Sequence, residues 1–114
     1  MTSTNRVEAI RRLNDLSRTL QGLAPNTRVM ITRGLAASGE DFAARALAAA
    51  RTFNTFTTDN DPHGEHDFGA FAVDGEKCFW KIDCYDKSLE HGSEDPADPD
   101  LTTRVLTIML AEEY

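Results

Sequence analysis

Between residues 59 and 67 the chain reads Asp59-Asn60-Asp61-Pro62-His63-Gly64-Glu65-His66-Asp67, six ionisable side chains within nine positions. Histidine beside carboxylates is the minimum equipment for proton transfer near neutral pH. The same atoms, imidazole nitrogen and carboxylate oxygen, also suit a transition metal. The opening imitates a calcium loop, with oxygen-bearing residues first and third and glycine sixth, but the twelfth position is Ala70 rather than glutamate, which excludes an EF-hand. His63, Glu65, His66 and Asp67 are weak metal candidates, since neither HExxH nor a finger-type Cys/His spacing occurs, and no cofactor is expected. A purely structural use is the reading preferred. Asp59, Asn60 and Asp61 can fold back on turn N–H groups while Glu65 and Asp67 meet nearby cations.

A hairpin gives this turn its address. Asp74-Gly75 tolerates positive φ at both central positions and closes a two-residue turn between Phe68–Val73 and Glu76–Tyr85. Pairing Val73 with Glu76 sets Phe71 opposite Cys78, Gly69 opposite Trp80 and Asp67 opposite Ile82 on one face. The other face pairs Ala72 with Lys77, Ala70 with Phe79, Phe68 with Lys81 and His66 with Asp83. Opposed Cβ atoms lie roughly 5 Å apart, so His66, Lys81 and Asp83 are expected to share one surface as acid/base, anionic anchor and orienting carboxylate, with Glu65 or Asp67 as a second acid. Such a set would serve a small hydrolase or lyase.

The remaining elements must hold that hairpin. Asn5 followed by Glu8 is a capping-box arrangement, and Val7, Ile10, Leu13, Leu16 and Leu20 recur on one half of the helix that follows, with Gly22 and Pro25 ending it. Glu8, Arg11, Arg12, Asp15 and Arg18 are assigned to its solvated face. Arg28–Thr32 reads as a short, largely buried strand. Ser38 caps a second helix reaching Thr52, whose inner stripe is Phe42, Ala46, Ala49, Ala50 and Phe53. Residues 86–100 are polar with two Asp-Pro steps, and are read as an ordered surface loop that brings Glu94, Asp95 and Asp98 to the edge holding Asp59 and Asp61. Leu101–Tyr114 has both a 3.6-residue apolar period and the density of a buried strand; helix is the reading adopted. The expectation is one α+β domain over residues 1–114: a small antiparallel sheet around the central hairpin, flanked by two or three helices.

Charge narrows the function classes. Residues 1–58 carry eight Arg against four acids, +4, whereas residues 59–114 carry fifteen acids against three Lys and one Arg, −11, and the whole chain is −7. An acidic half repels phosphate backbones, so direct nucleic-acid binding is disfavoured, while a basic protein surface, including that of a nucleic-acid-binding protein, is a natural partner. Asp59, Asn60, Asp61, Glu65, Asp67, Trp80, Glu94, Asp95 and Asp98 are the expected binding residues. The polar start and the lack of any run of about 18 apolar residues point to a cytoplasmic protein without membrane association. Cys78 and Cys84, six apart on one strand, are read as reduced core thiols.

The stretches FTTDNDPHGEHDFGAF, FWKIDCYD and GSEDPADPDLTTRVLTIMLAEEY resemble the family known as domain of unknown function 3768, small bacterial proteins often encoded on plasmids and other mobile elements. His63 stands where the family usually has an aromatic residue before glycine. The resemblance implies no activity, and by association it implies an accessory or anti-defence role. Together the residues favour a non-enzymatic binding protein acting through its acidic half, with the hydrolase or lyase as the alternative.

Overall fold

The structure, a computed structural model, describes residues 3–114. Its elements in order are α1 (Ser3–Leu20), β1 (Thr27–Ile31), α2 (Arg33–Ala37), α3 (Glu40–Thr52), β2 (Phe68–Val73), β3 (Glu76–Tyr85) and β4 (Thr103–Leu110), with 3-10 turns after α1 and after β4. The strands form one sheet in the order β1-β4-β3-β2. The fold is therefore α+β, but the sheet is mixed, because β1 runs parallel to β4 while the other two pairings are antiparallel.

The hairpin forms as its turn chemistry dictates. Asp74 and Gly75 both take positive φ, 52° and 80°, and every pair from Phe68–Lys81 to Val73–Glu76 is in the expected register. The last segment is a strand and not a helix. Residues 101–114 satisfy both periods on paper, but β4 lies between β1 and β3, where a central strand buries both faces and selects for a dense apolar run such as Val105, Leu106, Ile108, Met109 and Leu110. The strand expected at Arg28–Thr32 is present as Thr27–Ile31, yet it is the sheet edge and half exposed.

All three helices lie against one sheet face. Trp80, fully buried, packs with Leu35, Ala46, Ala50, Cys78, Ile82, Leu106 and Ile108. The small residues of α3 permit that approach, as its composition suggested. The expected cap of α3 is displaced: Gly39 precedes the helix, and Ser38 instead ends α2, a one-turn helix capped by Thr32. Cys78 and Cys84 are both free thiols.

The larger departure is the roll of α1. Of its apolar row only Ile10 is buried, whereas Leu16 and Leu20 are exposed, and the face turned inward carries Asn14, Ser17 and Arg18. Asn14 and Ser17, with Gln21 beyond them, fasten other elements. Asn14 donates to Glu65 O, Ser17 Oγ meets Thr27 Oγ1 at 2.7 Å, and Gln21, just past the helix, donates to Leu47 O in α3. Such partners remove the desolvation penalty that would otherwise keep these groups outside.

Candidate functional site

His66 does not face Asp83. Backbone pairing continues one residue beyond β2, with Ile82 N donating to Asp67 O at 2.9 Å, but His66 takes φ +55°, a left-handed conformation that ends the strand alternation. Its ring is thereby delivered to the helix-covered side. There Nδ1 lies 2.8 Å from Asp15 Oδ1, Nε2 lies 3.6 Å from Asp61 Oδ2, and the imidazole stacks on Phe56 at 3.6 Å between centroids. The backbone N–H of His66 also donates to Asp61, which fixes the left-handed turn from within.

Lys81 and Asp83 stand on the face opposite the helices and pair with each other at 2.9 Å, an interaction that raises the Lys81 ammonium. The expected acid/base, orienting and anchoring residues are therefore split across the sheet. The expected second acids fare differently. Glu65 contributes its carbonyl to Asn14, while the Asp67 carboxyl is pushed above its ordinary range by desolvation, with Asp61 adding to it. Trp80 sits over Gly69 as the register required, so closely that a Cβ at Gly69 would lie 2.3 Å from Nε1. The indole is core, and its buried N–H has no acceptor among the described residues.

What assembles around His66 is a polar knot. Arg18, 5% exposed, donates to Asp15 at 2.8 Å, and its guanidinium lies 5.3 Å from the rings of both Phe56 and Trp80. Asp15 thus serves an arginine and a histidine together. On the same inward face of α1, Asn14 accepts from Arg104 Nε at 2.7 Å, and Arg104 also donates to Pro96 O. Arg104 is 4% exposed, and burial lowers the pKa of its guanidinium. Cys84, beside Asn14, has its thiol pushed up by burial, so it is poorly suited to act as a thiolate. Phe56, Asp15, Asn14, Arg18 and Arg104 escaped the sequence reading. The available signal was that Ile10, Asn14, Ser17, Arg18 and Gln21 themselves recur at helical spacing, a second candidate inward face.

The acidic loops behave differently from one another. Asn60 folds back on Thr57 N and Thr55 O, as expected of an Asx residue in a turn, and Asp61 is buried against His66. Asp59 remains exposed. In the second loop Asp86 accepts from Ser88, Glu90 and His91, which lowers its carboxyl, and Asp95 pairs with Arg6 at 3.2 Å. Glu94 lines a cleft of about 520 Å³ with Asp86, Lys87, His91, Gly92 and Leu101. Both loops pack on α1, one through Asn14 and Asp15, the other through Arg6. Among the described residues no group of three His, Cys, Asp or Glu side chains converges to hold a metal, so His63, Glu65, His66 and Asp67 do not form the ligand set considered above.

The decisive comparison is at the level of family. A profile described as protein of unknown function (DUF3768) matches residues 31–113. The chain belongs to the DUF3768 family. In this DUF3768 protein the match takes in the hairpin, both acidic loops and β4, while the α1 side chains that close the knot, Asn14, Asp15 and Arg18, precede it. No curated protein and no solved structure matches the chain. Among the described residues no helix is long and apolar enough to cross a membrane.

Proposed function

We propose that this DUF3768 protein is a non-enzymatic binding protein that meets a basic protein surface through the acids of its two loops. The observation that carries the reading is the common seat of those loops on α1, with exposed acids on both: Asp59 in the first loop, and Glu90, Glu94 and Asp100 in the second. Among the described residues none of these four enters an ion pair. Charges already spent on internal pairs contribute little to a partner, whereas free carboxylates steer a basic one and set its register.

The enzymatic alternative loses its support with the separation of His66 from Lys81 and Asp83. The near approach of both His66 ring nitrogens to carboxylates, and its stacking on Phe56, favour a fastening role for that residue. An accessory or anti-defence setting on a mobile element is the context we propose for the binding. The test is affinity capture with the purified protein at low and raised salt, followed by identification of the captured chains. A basic protein retained at low salt, released at raised salt, and lost with the combined Asp59→Asn, Glu94→Gln and Asp100→Asn variant is the expected result. Capture that ignores both salt and these substitutions sinks the reading.

A further inference from the structure

Among the described residues no strand covers the outer edge of β1, and its hydrogen-bonding pattern can be assigned residue by residue. Arg104 N donates to Asn26 O at 2.9 Å and Thr32 N donates to Ile108 O at 3.1 Å. Alternate residues of a strand turn their polar backbone groups to opposite sides, so the even-numbered residues face β4 and Thr27, Val29 and Ile31 point their N–H and C=O groups outward. Among the described residues β1 pairs with no strand but β4. The usual defences of an edge, proline, lysine or a bulge, are absent from TRVMI, whose only charge is Arg28.

The exposed apolar row of α1 is continuous with that edge. Leu13 and Leu16 line a groove with Pro25, Asn26 and Pro99, and Ser17 is hydrogen-bonded to Thr27. Leu20 and Leu23, the latter at 88% exposure, add apolar surface on the helix side, and Met30, at 57%, adds it on the opposite face of β1. A row of this kind beside an unpaired strand marks an interaction surface rather than scattered exposed leucines.

From this we infer that β1 is the dimer interface of the protein, two copies pairing their β1 strands antiparallel across a two-fold axis at Val29 to make one eight-stranded sheet. The outward groups are self-complementary in that register: Val29 exchanges both hydrogen bonds with its counterpart, and Thr27 does so with the partner's Ile31. On the face opposite the helices Arg28 falls opposite the partner's Met30, not opposite another arginine, so its aliphatic stem packs on the thioether. The ends also match in charge. Asn26 Nδ2 holds Pro99 O at one end of β1, placing Asp98 and Asp100 there, while the other end runs directly into exposed Arg33. Antiparallel pairing brings each Arg33 toward the partner's Asp98–Asp100 segment. A foreign strand could use the bare backbone, but it would not automatically supply this charge pattern.

The molar mass of the wild-type protein, measured by light scattering over a concentration series, is expected to rise from one to two chains. Met30→Asp and Leu20→Asp are both exposed and away from the core, and should return the mass to one chain with an unchanged circular dichroism spectrum. The register is read by oxidative cross-linking. Val29→Cys should form a disulfide dimer across the axis, whereas Met30→Cys, two positions from its own counterpart, should not. A single-chain mass at the highest soluble concentration overturns the inference, as does a dimer that survives Met30→Asp or cross-links through Met30→Cys instead. The acidic loops are untouched by these variants, so their outcome does not depend on the partner proposed above.

Discussion

Asp15 accepts from Arg18 and meets His66 through one oxygen, Oδ1, with each contact at 2.8 Å. Removing that carboxylate leaves a 5% exposed guanidinium with only aromatic faces for company, and an unmet buried charge costs more than a lost contact. Asp15→Ala is therefore expected to destabilise the fold by about 1–3 kcal/mol, discounted from a fully buried pair because Asp15 itself is partly exposed. In urea unfolding the Arg18→Met, Asp15→Ala double variant should recover part of that loss; strictly additive effects would show that the two side chains do not act as a pair. Gly69 tests the packing beneath. A methyl group there would lie 2.3 Å from Trp80 Nε1 and 2.8 Å from Phe53 Cζ, so Gly69→Ala should cost about 1–3 kcal/mol as an overpacked core does. A Gly69→Ala variant as stable as wild type would show that the indole has room to move. The Gly69–Trp80 contact was legible from the turn alone, because a two-residue loop propagates register without further information. His66 was not, since a single positive φ lies outside any alternation rule and is set by Asp61, whose position depends on the rest of the fold.

At the level of elements, period arguments succeeded where one face was dry and failed where both faces could be. β2 and β3 announced themselves by their turn and by alternation. β4 did not, because a strand covered on both sides loses the alternation that distinguishes it from a helix. α1 misled for the opposite reason: its apolar row is real but only partly used, and the sheet-facing contacts are hydrogen bonds that hydropathy cannot register. The one-turn helix α2 was missed because its start depends on a residue about eighty positions away. Glu113, just beyond β4, accepts from Thr32 Oγ1, Gly34 N at 2.8 Å and Leu110 N at 3.1 Å, and these donors lower its carboxyl below the ordinary value of 4.5. A carboxyl with a lowered folded pKa stabilises above its unfolded pKa and loses that contribution as pH falls from about 4.5 through the folded value. Glu113→Gln should therefore flatten the acid limb of a stability-against-pH curve and leave the slope above neutrality alone. Gly34→Ala belongs to the same test, since its Cβ would meet the Glu113 carboxylate at 2.6 Å. Urea midpoints for the two single variants and the double variant should be non-additive. Independent effects would mean that Glu113 is not docked on α2.

For the molecule as a whole, the sheet order sets an order of events. β2 and β3 are joined by two residues and can pair locally, whereas β1 meets β4 across the entire chain, Thr27 opposite Arg104 and Ile31 opposite Ile108. β4 has to enter between β3, which immediately precedes it, and β1 near the start of the chain, so joining β1 carries the largest loop entropy of any step. The expected transition state contains the β2–β3 hairpin and the parts of β4 that join β3, with β1 still detached. Val73→Ala, in the hairpin core, should then slow folding and give a φ-value of about 0.5 or more, while Val29→Ala on β1 should act mainly on unfolding, with φ of about 0–0.3. If β1 joins last, it is also the strand that detaches first, and pairing with a second copy would slow unfolding without changing the folding rate of the single chain. Chevron measurements at two protein concentrations separate the two effects. A high φ-value at Val29 would place β1 in the nucleus and refute the order proposed from topology, whatever the state of association.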